Sequence, residues 1–228
     1  MDISCVVLAG GKGLRLGQDK ALETIGNKNL LHWVVSYLSL FKSNIIIVTA
    51  EKQSLSQFTD CPELRIVTDA YLDKGPLAGI YTGLAASVSL YNLVVACDMP
   101  FLNYALLNYM LQISAGFDLV IPRLGDMVEP LHAVYSKTCL PPIQSLLEQG
   151  NLSVRGLFSL VRVRYVEATE INRFDPEHLS FFNINTKSDL DKARQMTKRC
   201  LSRVAFEGEG DKGGEVDKQS HHLGRYEP

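Results

Sequence analysis

Three short runs of uninterrupted apolar residues set the architecture: Cys5-Val6-Val7-Leu8, Ile45-Ile46-Ile47-Val48 and Leu93-Val94-Val95-Ala96-Cys97. A strand with one wet face alternates apolar and polar residues. A continuous run, above all of β-branched residues, belongs to a strand covered on both faces, as in a parallel sheet flanked by helices. Between the runs, Leu30, Leu31, Val34, Val35, Leu38 and Phe41 recur at helical spacing from Asn29 to Phe41. A shorter strand is predicted over 65–68 and a helix over 79–90, beginning after Pro76. A helix over 104–113, a strand over 118–122 and a helix over 143–149, after Pro141-Pro142, follow. Strands alternating with helices predict an α/β fold: a single-domain three-layer αβα sandwich around a mostly parallel, doubly wound sheet.

The first run leads into Leu8-Ala9-Gly10-Gly11-Lys12-Gly13-Leu14-Arg15-Leu16-Gly17-Gln18-Asp19-Lys20. Glycine admits positive φ and lets bare N–H groups approach a ligand, and a phosphate chain needs such a cradle. Arg15 and Lys20 would neutralise its charge. A Walker A loop needs Lys-Ser/Thr straight after a glycine, but Gly17 is followed by Gln18-Asp19-Lys20. Gly11, Gly13 and Gly17 miss the dinucleotide fingerprint by one residue, and the acid wanted about 20 residues on is absent, Glu51 lying too late. A plain strand-to-helix turn is the bland alternative. The two cations favour a nucleotide loop of another kind.

Formal net charge of −2 offers no basic field for nucleic acid. No segment approaches the ~20 apolar residues needed to span a bilayer, so no membrane partner is expected. Cys5, Cys61, Cys97, Cys139 and Cys200 are odd in number and without a C-x-x-C pair, which points to a reducing, cytoplasmic setting rather than to disulfides or structural zinc. Residues 1–202 form the expected domain. The segment 203–228 is rich in glycine and charge with few apolar residues, and is expected to be a disordered tail.

Asp98 ends the third run, in Cys97-Asp98-Met99-Pro100. A carboxylate at a strand tip suits Mg²⁺, which keeps waters and takes one or two carboxylates plus substrate phosphates. It could equally cap the helix after Pro100. Asp69 follows the short strand and reads as a turn or cap acid by position. Gly75-Pro76-Leu77-Ala78-Gly79 could admit a ligand's flat face or simply start a helix. His132, in Glu129-Pro130-Leu131-His132, is expected to be structural. Phe182-Asn183-Ile184-Asn185 reads as a short strand leading to a helix capped by Thr186 and Asp189, and the two asparagines could cap or touch ligand. The loop at 9–20, Asp69 and Asp98 all fall just past predicted strand ends, where ligands of doubly wound sheets bind.

LAGGKGLRLGQDKAL, GPLAGI, ACDMPF, EPLHAVY and FFNINTKSDL, in this order, closely resemble the molybdenum cofactor guanylyltransferase family from about Ile3 to about Arg194. The opening motif alone indicates only the wider nucleotidyltransferase superfamily; the later segments narrow it. The resemblance implies a Rossmann-like nucleotidyltransferase fold and transfer of GMP from GTP to the terminal phosphate of molybdenum-molybdopterin, with pyrophosphate leaving. It places GTP contacts on Leu8, Ala9, Gly10, Gly11, Arg15, Lys20, Asp69 and Asp98. Arg15, Lys20 and Asp98 are the implied catalytic residues, and Asp98 the Mg²⁺ ligand. Gly79, Asn183 and Asn185 would be acceptor or supporting residues. Transient contact with cofactor-synthesis or acceptor proteins is implied as well. Two positions depart from the family: Leu16 replaces a common methionine, and Thr49 stands where some members carry a ligand-contacting asparagine. A cytidylyltransferase on a related acceptor, a dinucleotide-binding reductase and a non-catalytic nucleotide-binding module are the competing readings.

Overall fold

In chain order the strands are β1 (Ile3–Leu8), β2 (Thr24–Ile25), β3 (Lys28–Asn29), β4 (Asn44–Thr49), β5 (Leu64–Thr68), β6 (Tyr91–Ala96), β7 (Leu119–Leu124), β8 (Met127–Val128), β9 (His132–Ser136) and β10 (Val163–Glu167). The helices are α1 (Leu30–Leu38), α2 (Gly75–Ala86), α3 (Tyr104–Gln112), α4 (Leu140–Glu148), α5 (Ala168–Ile171) and α6 (residues 187–197). They come from a computed structural model that describes residues 2–9, 23–50 and 64–197. Gly10, Gly11, Arg15, Lys20 and the expected tail over 203–228 lie outside the described residues.

The three apolar runs lie together. β1 pairs in parallel with β4 on one side and β6 on the other, and the sheet order is β10-β7-β9-β6-β1-β4-β5. β9 runs antiparallel to both its neighbours, while β7 and β10 return to the common direction. β8 folds back on β7, and β2 with β3 makes a separate small hairpin. From β1 the chain steps outward to β4 and β5, then α2 carries it back to β6 on the other side of β1. The strand order therefore reverses beside β1.

Both sheet faces are covered, as the unbroken apolar runs require. Cys5, Val7, Ile45, Ile47, Val95 and Val134 pack with buried residues of α1, α3 and α5. Val6, Leu8, Ile46, Val48, Val94 and Ala133 pack with those of α2 and α4. A third cluster joins Ile25, Leu30, Ile184, Leu190 and Ala193, so that α6 covers the small hairpin. α2 lies very close to β1: a Cβ on Gly83 would sit 2.3 Å from Val6 Cγ1.

The helix predicted over 79–90 instead runs from Gly75 to Ala86, taking Pro76 into its first turn. Its end is fixed from outside, because Arg65 donates to the Ala86 carbonyl and Lys137 Nζ to that of Ser87, where the backbone turns extended. Residues 182–185 form no strand; they are held by single hydrogen bonds rather than by a ladder. The cap that follows them is as expected. Thr186 Oγ1 accepts from Asp189 N at 3.2 Å, and Asp189 Oδ2 accepts from Thr186 N at 3.0 Å. Pro141 and Pro142 lie inside the first turn of α4 rather than before it, where absent N–H groups cost nothing.

Candidate active site

Where the strand order reverses, the carboxyl ends of adjacent strands open a crevice. A cavity of about 420 Å³ occupies that position. Leu8, Asp69, Gly79 and Asp98 all line it, together with Thr49, Asp73, Pro76 and Leu131. Of the expected site residues that are described, four thus share one cavity. Ala9 adjoins it, its N–H donating to Val48 O at 2.8 Å.

A short chain of backbone bonds fixes the relation of the two central strands. Ala96 N donates to Leu131 O at 3.0 Å, and Cys97 N to Leu8 O at 3.1 Å. The tip of β1 is therefore bonded to the residue just before Asp98. Asp98 O in turn accepts from Ile184 N at 2.9 Å, which brings Asn183 and Asn185 beside it. Neither asparagine lines the cavity.

Asp98 is not a helix cap. Asn103 fills that position for α3, its side chain accepting from Leu106 N at 3.0 Å while its Nδ2 donates to Phe174 O. The half-buried Asp98 carboxylate stays at the cavity wall. Asp69 serves two ends. Its Oδ1 accepts from Tyr71 N and Thr82 Oγ1, the turn role its position suggested, yet it also borders the cavity. Gly79 is in part a packing residue, since a Cβ there would meet Leu8 Cδ2 at 3.2 Å. Any side chain at this position would displace Leu8 or enter the cavity.

Beside Asp98, burial raises the carboxyl pKa of Glu129; its bond from Leu131 N opposes this and the Asp98 charge adds to it. His132, one strand position away from Leu131, is fully buried, and burial pulls its pKa down to about 4. It is neutral near pH 7 and remote from solvent, consistent with a structural role. Among the described residues no group of three or more histidine, cysteine or acidic side chains is placed to hold a metal. Magnesium needs fewer, taking one or two carboxylates with substrate phosphates, and the half-buried Asp98 at the cavity wall is a donor of that kind. The residues fit the ion.

Of Thr49, Asp73, Pro76 and Leu131, Asp73 and Leu131 were not singled out by sequence; Thr49 stood at a position where some family members contact ligand, and Pro76 lay in the segment read as able to admit a ligand's flat face. Thr49 ends β4, so its strand position was a usable signal. Asp73 takes φ of +60°, in the turn just before α2, which no local pattern announced.

An open, doubly wound sheet with a ligand-sized cavity at its reversal point defines a nucleotide-binding α/β protein. Comparison with known proteins narrows the class. The family model described as MobA-like NTP transferase domain matches residues 5–167. A protein of Pelotomaculum thermopropionicum named "Probable molybdenum cofactor guanylyltransferase" is 38% identical over 193 residues, covering 85% of this chain and 92% of the relative. The molybdenum cofactor guanylyltransferase of Syntrophotalea carbinolica is 34% identical, covering 84% and 90%. The crystal structure of molybdopterin-guanine dinucleotide biosynthesis protein A from Archaeoglobus fulgidus superposes with a TM-score of 0.76 at 29% identity, covering 86% of this chain and 99% of that one. The chain belongs to the MobA-like nucleotidyltransferases and, within them, to the molybdenum cofactor guanylyltransferase family. Among the described residues no helix is long and apolar enough to cross a membrane.

Proposed function

We propose that this chain transfers GMP from GTP to the terminal phosphate of molybdenum-molybdopterin. An oxygen of the acceptor phosphate forms a bond to the α-phosphorus, the bond from that phosphorus to the bridging oxygen breaks, and pyrophosphate leaves. The convergence of Leu8, Asp69, Gly79 and Asp98 on one cavity carries this reading. Family membership supports the choice of base and acceptor.

The attacking phosphate is already ionised near neutral pH, so no general base is required. The buried, neutral His132 is in keeping with that. What the reaction needs is two anions held in line with their charge neutralised. The α2-side cavity, floored by Leu8 and Asp69, takes the nucleoside. The main chain at Ala9, Gly10 and Gly11 receives the phosphates, with Arg15 and Lys20 as counter-charges. Magnesium held by Asp98 would supply Lewis-acid stabilisation of the triphosphate. Asn183 and Asn185, tied to Asp98 through Ile184, flank the acceptor side.

The protein, incubated with Mg²⁺, molybdenum-molybdopterin and either GTP or CTP, tests this reading. Pyrophosphate release and a guanine dinucleotide product with GTP alone are expected. Preferential use of CTP, or no dinucleotide with either, overturns it.

A further inference from the structure

His132 is buried without an evident reason for being a histidine. It sits at 0% exposure in β9, opposite Val95 of β6, and neither ring nitrogen has a hydrogen-bond partner among the described residues. An unpaired buried polar group costs stability that an apolar residue of similar shape would not. A residue that breaks a local rule in this way marks a place worth testing for function.

Besides the Asp175 carboxylate, whose charge opposes the effect of burial on it, the ring has an aromatic neighbour. Its centroid lies 4.9 Å from that of Phe181, at an interplanar angle of 59°. Phe181 begins the segment that passes Asp98. Its lower end is tied by the buried Asp175, whose carboxylate accepts from Leu179 N at 3.1 Å and Ser180 N at 2.9 Å. Its upper end is tied by Ile184, fully buried, whose N–H is on the Asp98 carbonyl. Between these ties residues 182–185 have no strand ladder to fix them. Phe182 packs on Phe101, with ring centroids 6.1 Å apart, and the tilted ring contact of Phe181 with His132 adds a contact from the sheet side. His132 is in turn held firmly: its own N–H donates to Glu129 O, and the carbonyl of Leu131 beside it accepts from Ala96 N.

We propose that His132 is a positioning residue for the acceptor: its ring seats Phe181 and so helps fix residues 181–185 against Asp98, keeping Asn183 and Asn185 in register with it. The consequence for transfer rests on the proposed guanylyl reaction; the consequence for the segment does not. Burial keeps the imidazole neutral, with a pKa of about 4, so the ring acts as an aromatic surface through the working pH range. Its nitrogens contribute nothing to the seating, and phenylalanine should replace it.

The test uses His132→Phe and His132→Leu in the full chain, with thermal melting, amide hydrogen exchange across 179–185, and separate KM values for GTP and acceptor. His132→Phe is expected to melt at or above wild type, with exchange and kinetics unchanged. His132→Leu is expected to exchange the Ile184 amide about 10-fold faster, through local opening. It should also lose about 10-fold or more in kcat/KM for the acceptor, while KM for GTP stays the same, since small misplacements cost that much or more. Wild-type exchange and acceptor kinetics in His132→Leu overturn the proposal. So does equal damage to both substrates in step with a lower melting point, which marks general destabilisation. A His132→Phe protein that behaves like His132→Leu also overturns it, because the nitrogens would then matter. If wild type forms no dinucleotide at all, the guanylyl reading fails, and the exchange measurements still decide whether His132 seats the segment.

Discussion

Asp98 stands between two halves of the molecule built by different means. On one side β1, β4, β5 and α2 form a wholly parallel unit whose strand tips end together. Its closeness depends on small residues: Gly79 against Leu8 and Gly83 against Val6. On the other side lie the antiparallel β9 and the irregular stretch 172–186. There the order comes from polar side chains, notably the half-buried Asn103 and the buried Asp175. The contrast fits two tasks. A nucleotide's phosphates need close backbone approach, which small residues allow. An acceptor met at an irregular edge is placed by side chains and by how firmly that edge is held.

Substitutions on each side separate the two halves. The largest effect is expected from Asp98→Ala, between them: a fall of about 10²–10³-fold or more in turnover, as for loss of one preorganised electrostatic group, with unchanged circular dichroism. Near-normal turnover at saturating Mg²⁺ would remove the metal assignment. On the acceptor side, Asp175→Ala strips the partner from two backbone N–H groups, each orphan costing about 1–3 kcal/mol. Denaturant melts should show this, and acceptor kinetics should suffer before GTP kinetics do. On the nucleotide side, Gly83→Ala forces a methyl into Val6 and should cost about 1–3 kcal/mol by overpacking. KM for GTP should then rise more than that for the acceptor. The reverse pattern in either variant would break the division.

A smaller effect is expected at the far end of β7, away from both halves of the site. Hydrogen bonds from Arg162, helped by Thr138, hold the Asp118 carboxyl down to about 2, against 3.8 for a free group. A lowered folded-state pKa stabilises the protein above about 3.8, and that contribution is lost as pH falls through about 2. Melting curves should show this acid loss in wild type and less of it in Asp118→Asn, with GTP and acceptor kinetics at neutral pH unaffected.

The same division decided what could be read from sequence. Val6 to Leu8, Ile45 to Val48 and Leu93 to Ala96 announced buried parallel strands, because burial on both faces leaves an unbroken apolar run. The address of Asp69 and Asp98 followed from those strands. The other half was opaque. β9 is also buried throughout, but His132 and Ser136 interrupt its apolar character, and nothing local specifies that it runs antiparallel. Residues 182–185 alternate like a strand, yet their N–H groups go singly to Leu179, Asp98 and Asp189 rather than to a partner strand. Asn103 looked no different from any loop asparagine, so Asp98 remained a candidate helix cap until the structure gave that position to Asn103. Long-range ties of this kind leave no mark on short-range pattern.

The convergence of metal, triphosphate and Asp98 on one cavity can be tested directly with Mn²⁺ in place of Mg²⁺. With GTP and Mn²⁺ bound, paramagnetic broadening should reach the amides of Ala9, Cys97, Asp98 and Ile184, spare those of Tyr91, Asp118 and Lys137 at the opposite end of the sheet, and vanish in Asp98→Asn. Broadening centred elsewhere, or unchanged in Asp98→Asn, would contradict the site.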